Sequence, residues 1–481
     1  MISNSDMIGL LVTDYRLQLL GVLLLLCVFS DVHDALAQDN GPNTPPPYII
    51  LRAEENYEYL RNGSPFKRDI FDPIKFISLN RESSAFLTFG GELRPRFRFV
   101  DNENWGTRSS GLYSQRISLH GALTLGPRVR FFSEFYHGLL SIKAKGFTED
   151  DNLDVHQGFI ESQFPLKNES SLRIRIGRQE LSYGSARLVG IREGPNMRRS
   201  FDAARIVYRD KKVSLEGFLG SEVVIGFEAF DNKRNEDMIF WGFFTQVNEG
   251  VLPGLGASQF YFFTFDVQNV FYQEGQGEET RYTLGFRRFG KIGASFQFNS
   301  ELMVQFGTFG SNEIFAAALQ TDFYYGFYEM NLKPVIGLKV DYISGDREMG
   351  DGKLNTFNPF FANPTYFGLI TQIAPINLFD IHPSLKLEIS DNVELVMDWD
   401  IYWRANESDG VYAPPRFLTR EGQESQSRFI GHQIGTVITY QMGRHITWST
   451  EMSYFVPGSF VGETGPDENI FYLASTLSFK F

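Results

Sequence analysis

The sequence predicts an all-β protein: a transmembrane antiparallel β-barrel of about 18 strands, with short periplasmic turns and long extracellular loops. Apolar residues recur with period two, connections alternate between short and long, and 47 Phe, 21 Tyr and 45 Gly occur without a long apolar run. Side chains alternate across a strand, so period two marks segments with one apolar and one polar face. Beyond the first thirty residues nothing approaches the ~20 consecutive apolar residues of a spanning helix. The composition excludes disorder and collagen. A net charge of −13 argues against nucleic acid, which requires a basic surface.

Residues 1–37 read as a signal peptide. Arg16 precedes the apolar stretch Leu17 to Phe29, and the small-residue site Ala35-Leu36-Ala37 follows, which is the layout of a secretory leader. The single cysteine, Cys27, lies within it, so a cleaved chain has no disulfide and no thiolate metal site. Residues 38–84 form a periplasmic lead-in, a plug or docking segment. In it Pro45-Pro46-Pro47 is stiff, Leu51 to Leu60 reads as a short helix, and Asp72-Pro73 breaks the pattern.

Residues 85–481 form the barrel. In Leu93-Arg94-Pro95-Arg96-Phe97-Arg98-Phe99 every second residue is arginine, and Leu172-Arg173-Ile174-Arg175-Ile176 repeats the rule. Strands are expected to begin near residues 85, 112, 128, 154, 171, 200, 212, 238, 257, 280, 291, 313, 332, 378, 393, 428, 444 and 469. Short turns fall at Gly126-Pro127, Asp210-Lys211, Gly290, Asp391-Asn392 and Met442-Gly443. Long loops are expected at 101–111, 139–153, 181–199, 222–237, 268–279, 303–312, 344–377, 406–427 and 457–468. Short turns at one end and long loops at the other are how outer-membrane barrels are built. A sheet crosses hydrocarbon only if it closes on itself, because every backbone N–H and C=O must be paired there. At 16–18 strands the bore is wide enough for an aqueous channel. Tyr261, Trp399, Trp403 and Trp448 are expected in the interfacial girdles.

The chain resembles the outer-membrane alginate export family. The fingerprint runs through Gly177-Arg178-Gln179-Glu180-Leu181-Ser182-Tyr183-Gly184, Arg187-Leu188-Val189 and Arg192-Glu193-Gly194-Pro195-Asn196, then Arg198-Arg199-Ser200-Phe201-Asp202 to Arg205. A second block holds Ser344-Gly345-Asp346, Asn355-Thr356-Phe357-Asn358-Pro359-Phe360-Phe361 and Tyr366-Phe367-Gly368. Further matches are His382-Pro383-Ser384-Leu385, Asp398-Trp399-Asp400, Gly431-His432-Gln433 and Glu463-Thr464-Gly465-Pro466. The resemblance implies a monomeric 18-stranded barrel in the outer membrane of a Gram-negative-type bacterium. It also implies a lumen partly occluded by inward loops, passage of an anionic polysaccharide, and a terminal Phe481 of the kind read by the barrel-assembly machinery.

Strand parity sends Arg94, Arg96, Arg98, Arg116, Arg128, Arg130, Arg173, Arg175, Arg205, Arg281 and Arg287 into the bore. Guanidinium rows favour a carboxylate polymer and offer it bidentate contacts. The later strands send in Glu301, Asp322, Asp341, Glu388, Glu394, Asp398, Asp400 and Glu451, which either create a transverse field or simply pair with the arginines. Residues 181–199, with Arg187, Arg192, Arg198 and Arg199, and residues 344–377, with Asp346 and Asp351, are the candidate gates. The Asp/Gly spacing of the second does not match an EF-hand. No metal, cofactor or enzyme activity is expected, since the seven histidines are scattered and no nucleophile motif surrounds them. Beside passage of anionic polysaccharide stand two other readings. One is an uptake porin for small organic acids or oligosaccharides, and the other is a structural or adhesive barrel.

Overall fold

The computed structural model describes residues 45–141, 148–254 and 256–481. The signal segment, Cys27 and part of the expected 139–153 loop lie outside the described residues. Eighteen strands build the wall. They are β1 Ala85–Asp101, β2 Ser110–Leu125, β3 Val129–Leu140, β4 Asp151–Pro165, β5 Ser171–Gln179, β6 Phe201–Arg209, β7 Val213–Val224, β8 Met238–Val247 and β9 Ala257–Tyr272. They continue as β10 Gly275–Ile292, β11 Phe296–Phe309, β12 Asn312–Gly326, β13 Val335–Ile343, β14 Leu378–Ser390, β15 Val393–Arg404, β16 Phe429–Met442, β17 Ile446–Pro457 and β18 Ile470–Lys480.

Each strand pairs antiparallel with the next, and β1 pairs with β18 from Glu92↔Lys480 to Asp101↔Phe471, which closes the sheet. Closure leaves no edge, the condition for a sheet in hydrocarbon. The faces are inverted relative to a soluble sandwich. Phe97, Leu119, Ile176, Phe243, Leu284, Ile336 and Ile434 are exposed on the outside, whereas Arg94, Arg116, Glu134, Arg281, Glu301 and Asp400 are buried within. The expected strand number holds.

Five local expectations need correction. The loops placed at 268–279 and 303–312 are tight turns at Gln273-Glu274 and Gly310-Ser311, because the flanking strands run on; the turn placed at Gly290 lies at 293–295. Leu51 to Leu60 is not one helix but two 3-10 turns, Arg52–Glu54 and Glu58–Leu60. Tyr261 is not a girdle residue: it is buried in the lumen, and its hydroxyl donates to Glu301 at 2.8 Å. Its neighbours Phe260 and Phe262 take the outer parity. Trp399 and Trp448 are exposed on the outside.

Many of the aromatics do not coat the barrel but fill it. Inward Phe201, Phe218, Phe240, Phe263 and Phe265 form a buried core with Leu181, Tyr183, Val189, Phe357, Phe360 and Phe361 from two connections. Phe265 stacks on Phe360 at 4.7 Å, and Phe361 meets Phe201 edge-on at 5.0 Å. β-bridges link Tyr183 to Val189 and Val189 to Phe361. The residues between β5 and β6 and those between β13 and β14 are therefore one packed body inside the bore.

Tyr261 lies flat over Gly285, its partner on β10. A Cβ at Gly285 would stand 1.9 Å from the ring. Gly285→Ala is expected to displace Tyr261 and to lower barrel stability by about 1–3 kcal/mol, read by denaturant unfolding in detergent. Unchanged stability would contradict the close packing of this pair.

Candidate functional site: a plugged, arginine-lined bore

The first group of lumenal arginines holds the connection between β5 and β6. Arg94 donates to the carbonyls of Glu193, Gly194 and Pro195 at 2.7–2.8 Å. Arg96 reaches Gly194 O at 2.8 Å and Glu451 at 3.1 Å. Arg116, fully buried, bridges Glu92 and Glu193, each at 2.7 Å. Arg98 stays partly exposed further along β1. Desolvated guanidinium groups need several acceptors at once, and a tightly turned loop end supplies them as free carbonyls.

The second group meets the N-terminal segment. Glu54 places one carboxylate oxygen 2.9 Å from Arg173 and the other 2.7 Å from Arg175. Glu161 also contacts Arg175, at 2.7 Å. Ala53 packs with Ala122, Phe132 and Phe159 of the wall. Arg52 donates to the Phe481 carbonyl at 2.9 Å, and Asp69 pairs with Arg444 at 2.6 Å and His445 at 3.0 Å. The segment thus enters the mouth that carries the chain's barrel termini and caps it. It meets the inner loop where Arg198 donates to the Ile50 carbonyl at 2.9 Å.

Two cavities flank this plug. One of 510 Å³ is bordered by Glu54, Arg173, Arg175, Arg205, Arg209 and Glu216. Another of 210 Å³ is bordered by Arg52, Glu54, Arg128, Arg130, Glu161 and Arg173. Arg205 pairs with Glu216 at 2.7 Å, and Arg130 lies over the Phe132 ring at 5.2 Å.

The remaining predicted residues organise the inner loops. Arg281 pairs with Glu279 at 2.9 Å and donates to the Thr356 carbonyl at 3.0 Å. Arg287 reaches Asn299 at 2.6 Å and the Gly184 carbonyl at 3.0 Å. Arg187 contacts Asp322 and Tyr366. Arg192 closes onto Met197 O at 3.1 Å, Arg198 contacts Glu193, and Arg199 bonds Glu222 and Phe361 O at 2.7 Å each. The Asp346 amide donates to Asp409 at 2.9 Å, and burial, with Asp409 beside it, pushes the Asp346 carboxyl up to about 7. Asp351 is exposed and accepts from the Lys353 amide at 2.8 Å.

Acids occupy the other arc: Glu301, Asp322, Asp341, Asp380 and Asp400 are buried on β11 to β15. Glu388 pairs with Lys333 and Glu394 with Lys386. Glu92 and Asp380 share the lumenal parity of Arg94 and His382 but were not among the expected residues, and parity says nothing of Arg52, Glu54, Asp69 and Glu193, which lie outside the wall strands. Glu54 and Asp69 belong to no strand and carry no periodic signal. Among the partners, parity placed Glu451 of Arg96 and Asp322 of Arg187 in the bore, and Glu193 stands in the arginine-rich connection.

Electrostatics at the plug favour the docked state. Burial raises the Glu54 carboxyl, but Arg175 and Arg173 outweigh it and hold the group well below its ordinary value of 4.5. Burial also opposes the charge on Asp69, and His445, the Phe71 amide and Arg444 overcome it. Burial pulls Lys75 down to about 7; its ammonium sits 4.7 Å from the Tyr57 ring centre. A carboxyl depressed in the docked state contributes stability that is intact above its ordinary value and lost as pH falls below it. Hydrogen exchange across residues 48–60 is therefore expected to accelerate as pH falls below about 4.5, after correction for intrinsic exchange. Glu54→Gln is expected to weaken docking by about 1–3 kcal/mol at neutral pH. Exchange indifferent to both changes would remove Glu54 as the anchor.

Solved structures of the same architecture come from Pseudomonas aeruginosa. OccK8 (OprE) superposes with a TM-score of 0.54 at 11% identity, covering 84% of this chain and 99% of that one. OccK2 (OpdF), in complex with glucuronate, gives 0.52 at 10% identity, over 85% and 98%. The outer membrane protein opdK gives 0.53 at 10% identity, over 82% and 98%. No curated protein matches the sequence. At these identities the likeness speaks for the fold. Residues 85–473 match the alginate export family, and with an 18-stranded closed wall around an arginine-lined bore, the chain belongs to that family of outer-membrane barrels.

Proposed function

We propose that this outer-membrane channel passes anionic polysaccharide or related anionic solutes, and that the described conformation is its closed state. The observation that carries the reading is the seat of Glu54. A carboxylate at the end of the 3-10 turn Arg52–Glu54 is gripped by Arg173 and Arg175 beside a 510 Å³ cavity that Arg205 and Arg209 also border. A uronate unit presents the same group, and two guanidinium groups offer it charge-assisted hydrogen bonds. Glu54 then acts as a resident anion that a passing carboxylate replaces.

Opening on this reading needs two movements. The plug leaves the periplasmic mouth, and the inner loops, tied by Arg187, Arg192, Arg198 and Arg199, swing off the bore. Arg94, Arg96, Arg116 and Arg281 would trade loop carbonyls and carboxylates for cargo, while Arg98, Arg128, Arg130 and Arg287 border the open path. The modest size of that cavity favours a second reading, uptake of small organic acids or oligosaccharides. OpdF, whose solved complex contains glucuronate, supports uronate chemistry on either reading. The barrel acts in both as a conduit; its chemistry is binding and release.

Planar bilayers test the proposal. Wild-type channels are expected to show low conductance, and Glu54→Gln channels higher conductance. Polyuronate is expected to block the variant, with neutral dextran of equal length inert. The triple variant Arg173→Ala, Arg175→Ala, Arg205→Ala is expected to lose that blockade several-fold. Equal blockade by dextran and polyuronate would overturn the anionic reading. Blockade by monomeric uronate but not polymer would select uptake.

A further inference from the structure

We propose that β14 and β15 carry a binding site for a transition-metal dication of the zinc class, formed by Asp380, His382 and Asp400. One ligand atom from each lies within 4.8 Å of the others, and all three residues are buried. Asp380 is fully buried, and neither carboxylate oxygen has a hydrogen-bond partner. It stands directly opposite Asp341 on β13, itself fully buried. An unpaired carboxylate this deep is costly unless a cation answers it. Lys339, opposite His382, instead turns its ammonium to the Tyr366 ring at 4.5 Å.

His382 adds the feature that selects the ion. Its Nε2 is 3.4 Å from Asp398, and its Nδ1 touches Asp400. Yet neither nitrogen makes a hydrogen bond of acceptable geometry. Two ligands of one zinc ion lie about 3–3.5 Å apart, so an arriving ion draws His382 and Asp400 apart and replaces their direct contact. Gln433 donates to the second oxygen of Asp400 at 3.1 Å, fixing that carboxylate from behind as outer partners of metal ligands do. Imidazole with two carboxylates suits zinc and its neighbours, whereas calcium and magnesium take oxygen ligands. Zinc bonds of about 2.0–2.2 Å set ligand atoms no more than about 4 Å apart, so side-chain rotation must bring in any pair that stands as far apart as 4.8 Å.

The position gives the ion a consequence. Tyr402, two residues beyond Asp400, donates to the Phe367 carbonyl at 2.8 Å, so the inner loop roofs the same stretch of wall. A bound dication offsets the acidic arc and fastens the wall beneath that loop.

The test uses untagged full-length protein in detergent, stripped with chelator and titrated with zinc chloride, with manganese and calcium chlorides as comparators. One zinc per chain is expected, with a rise in thermal unfolding temperature on loading. Asp380→Asn combined with Asp400→Asn removes charge at constant shape and is expected to abolish binding in a barrel that still shows heat-modifiable migration on gels. Gln433→Ala is expected to weaken binding about tenfold. Absence of stoichiometric zinc, binding unchanged in the double variant, or preference for calcium would each overturn the site. Transport plays no part in this readout.

Discussion

A sheet in hydrocarbon must leave no N–H or C=O unpaired, and this constraint dictates the rest of the molecule. Closure through β1 and β18 satisfies it. Once the wall is closed, parity has only two destinations, lipid and bore. Most inward charges then find partners within the cylinder, and the buried Asp380 carboxylate is left without a hydrogen bond. The guanidinium groups of β1 to β6 find theirs in loop carbonyls, in wall carboxylates and in Glu54. The interior is therefore a fitted assembly of wall, loops and plug.

That assembly has polarity across the barrel. Arginines crowd the arc that carries Arg94, Arg116, Arg173 and Arg205, and acids crowd the arc that carries Glu301, Asp341 and Asp400. The aromatic core of Phe240, Phe263, Phe360 and Phe361 occupies the bore beside them.

The strands were legible because period two is written into each of them, as in Leu172 to Ile176, and because a one-residue slip would turn every arginine to lipid. The destinations of the arginines were legible too, but their partners were not. Arg175 reaches Glu54, which is 121 residues away, and no local pattern announces such a contact. Tyr261 misled because an aromatic near a strand end reads as a girdle residue until its parity is tied to Gly285 across the sheet. The turns at Gln273-Glu274 and Gly310-Ser311 misled because glycine and polar residues there resemble loop while remaining paired.

On the proposed function the bore is a guanidinium path held shut by a carboxylate of the chain itself. The reversal potential under a potassium chloride gradient, measured on channels lacking residues 45–60, tests it most directly. The account predicts open channels with clear anion selectivity that falls as salt rises. Cation-selective channels, or channels no more open than the intact protein, would contradict it.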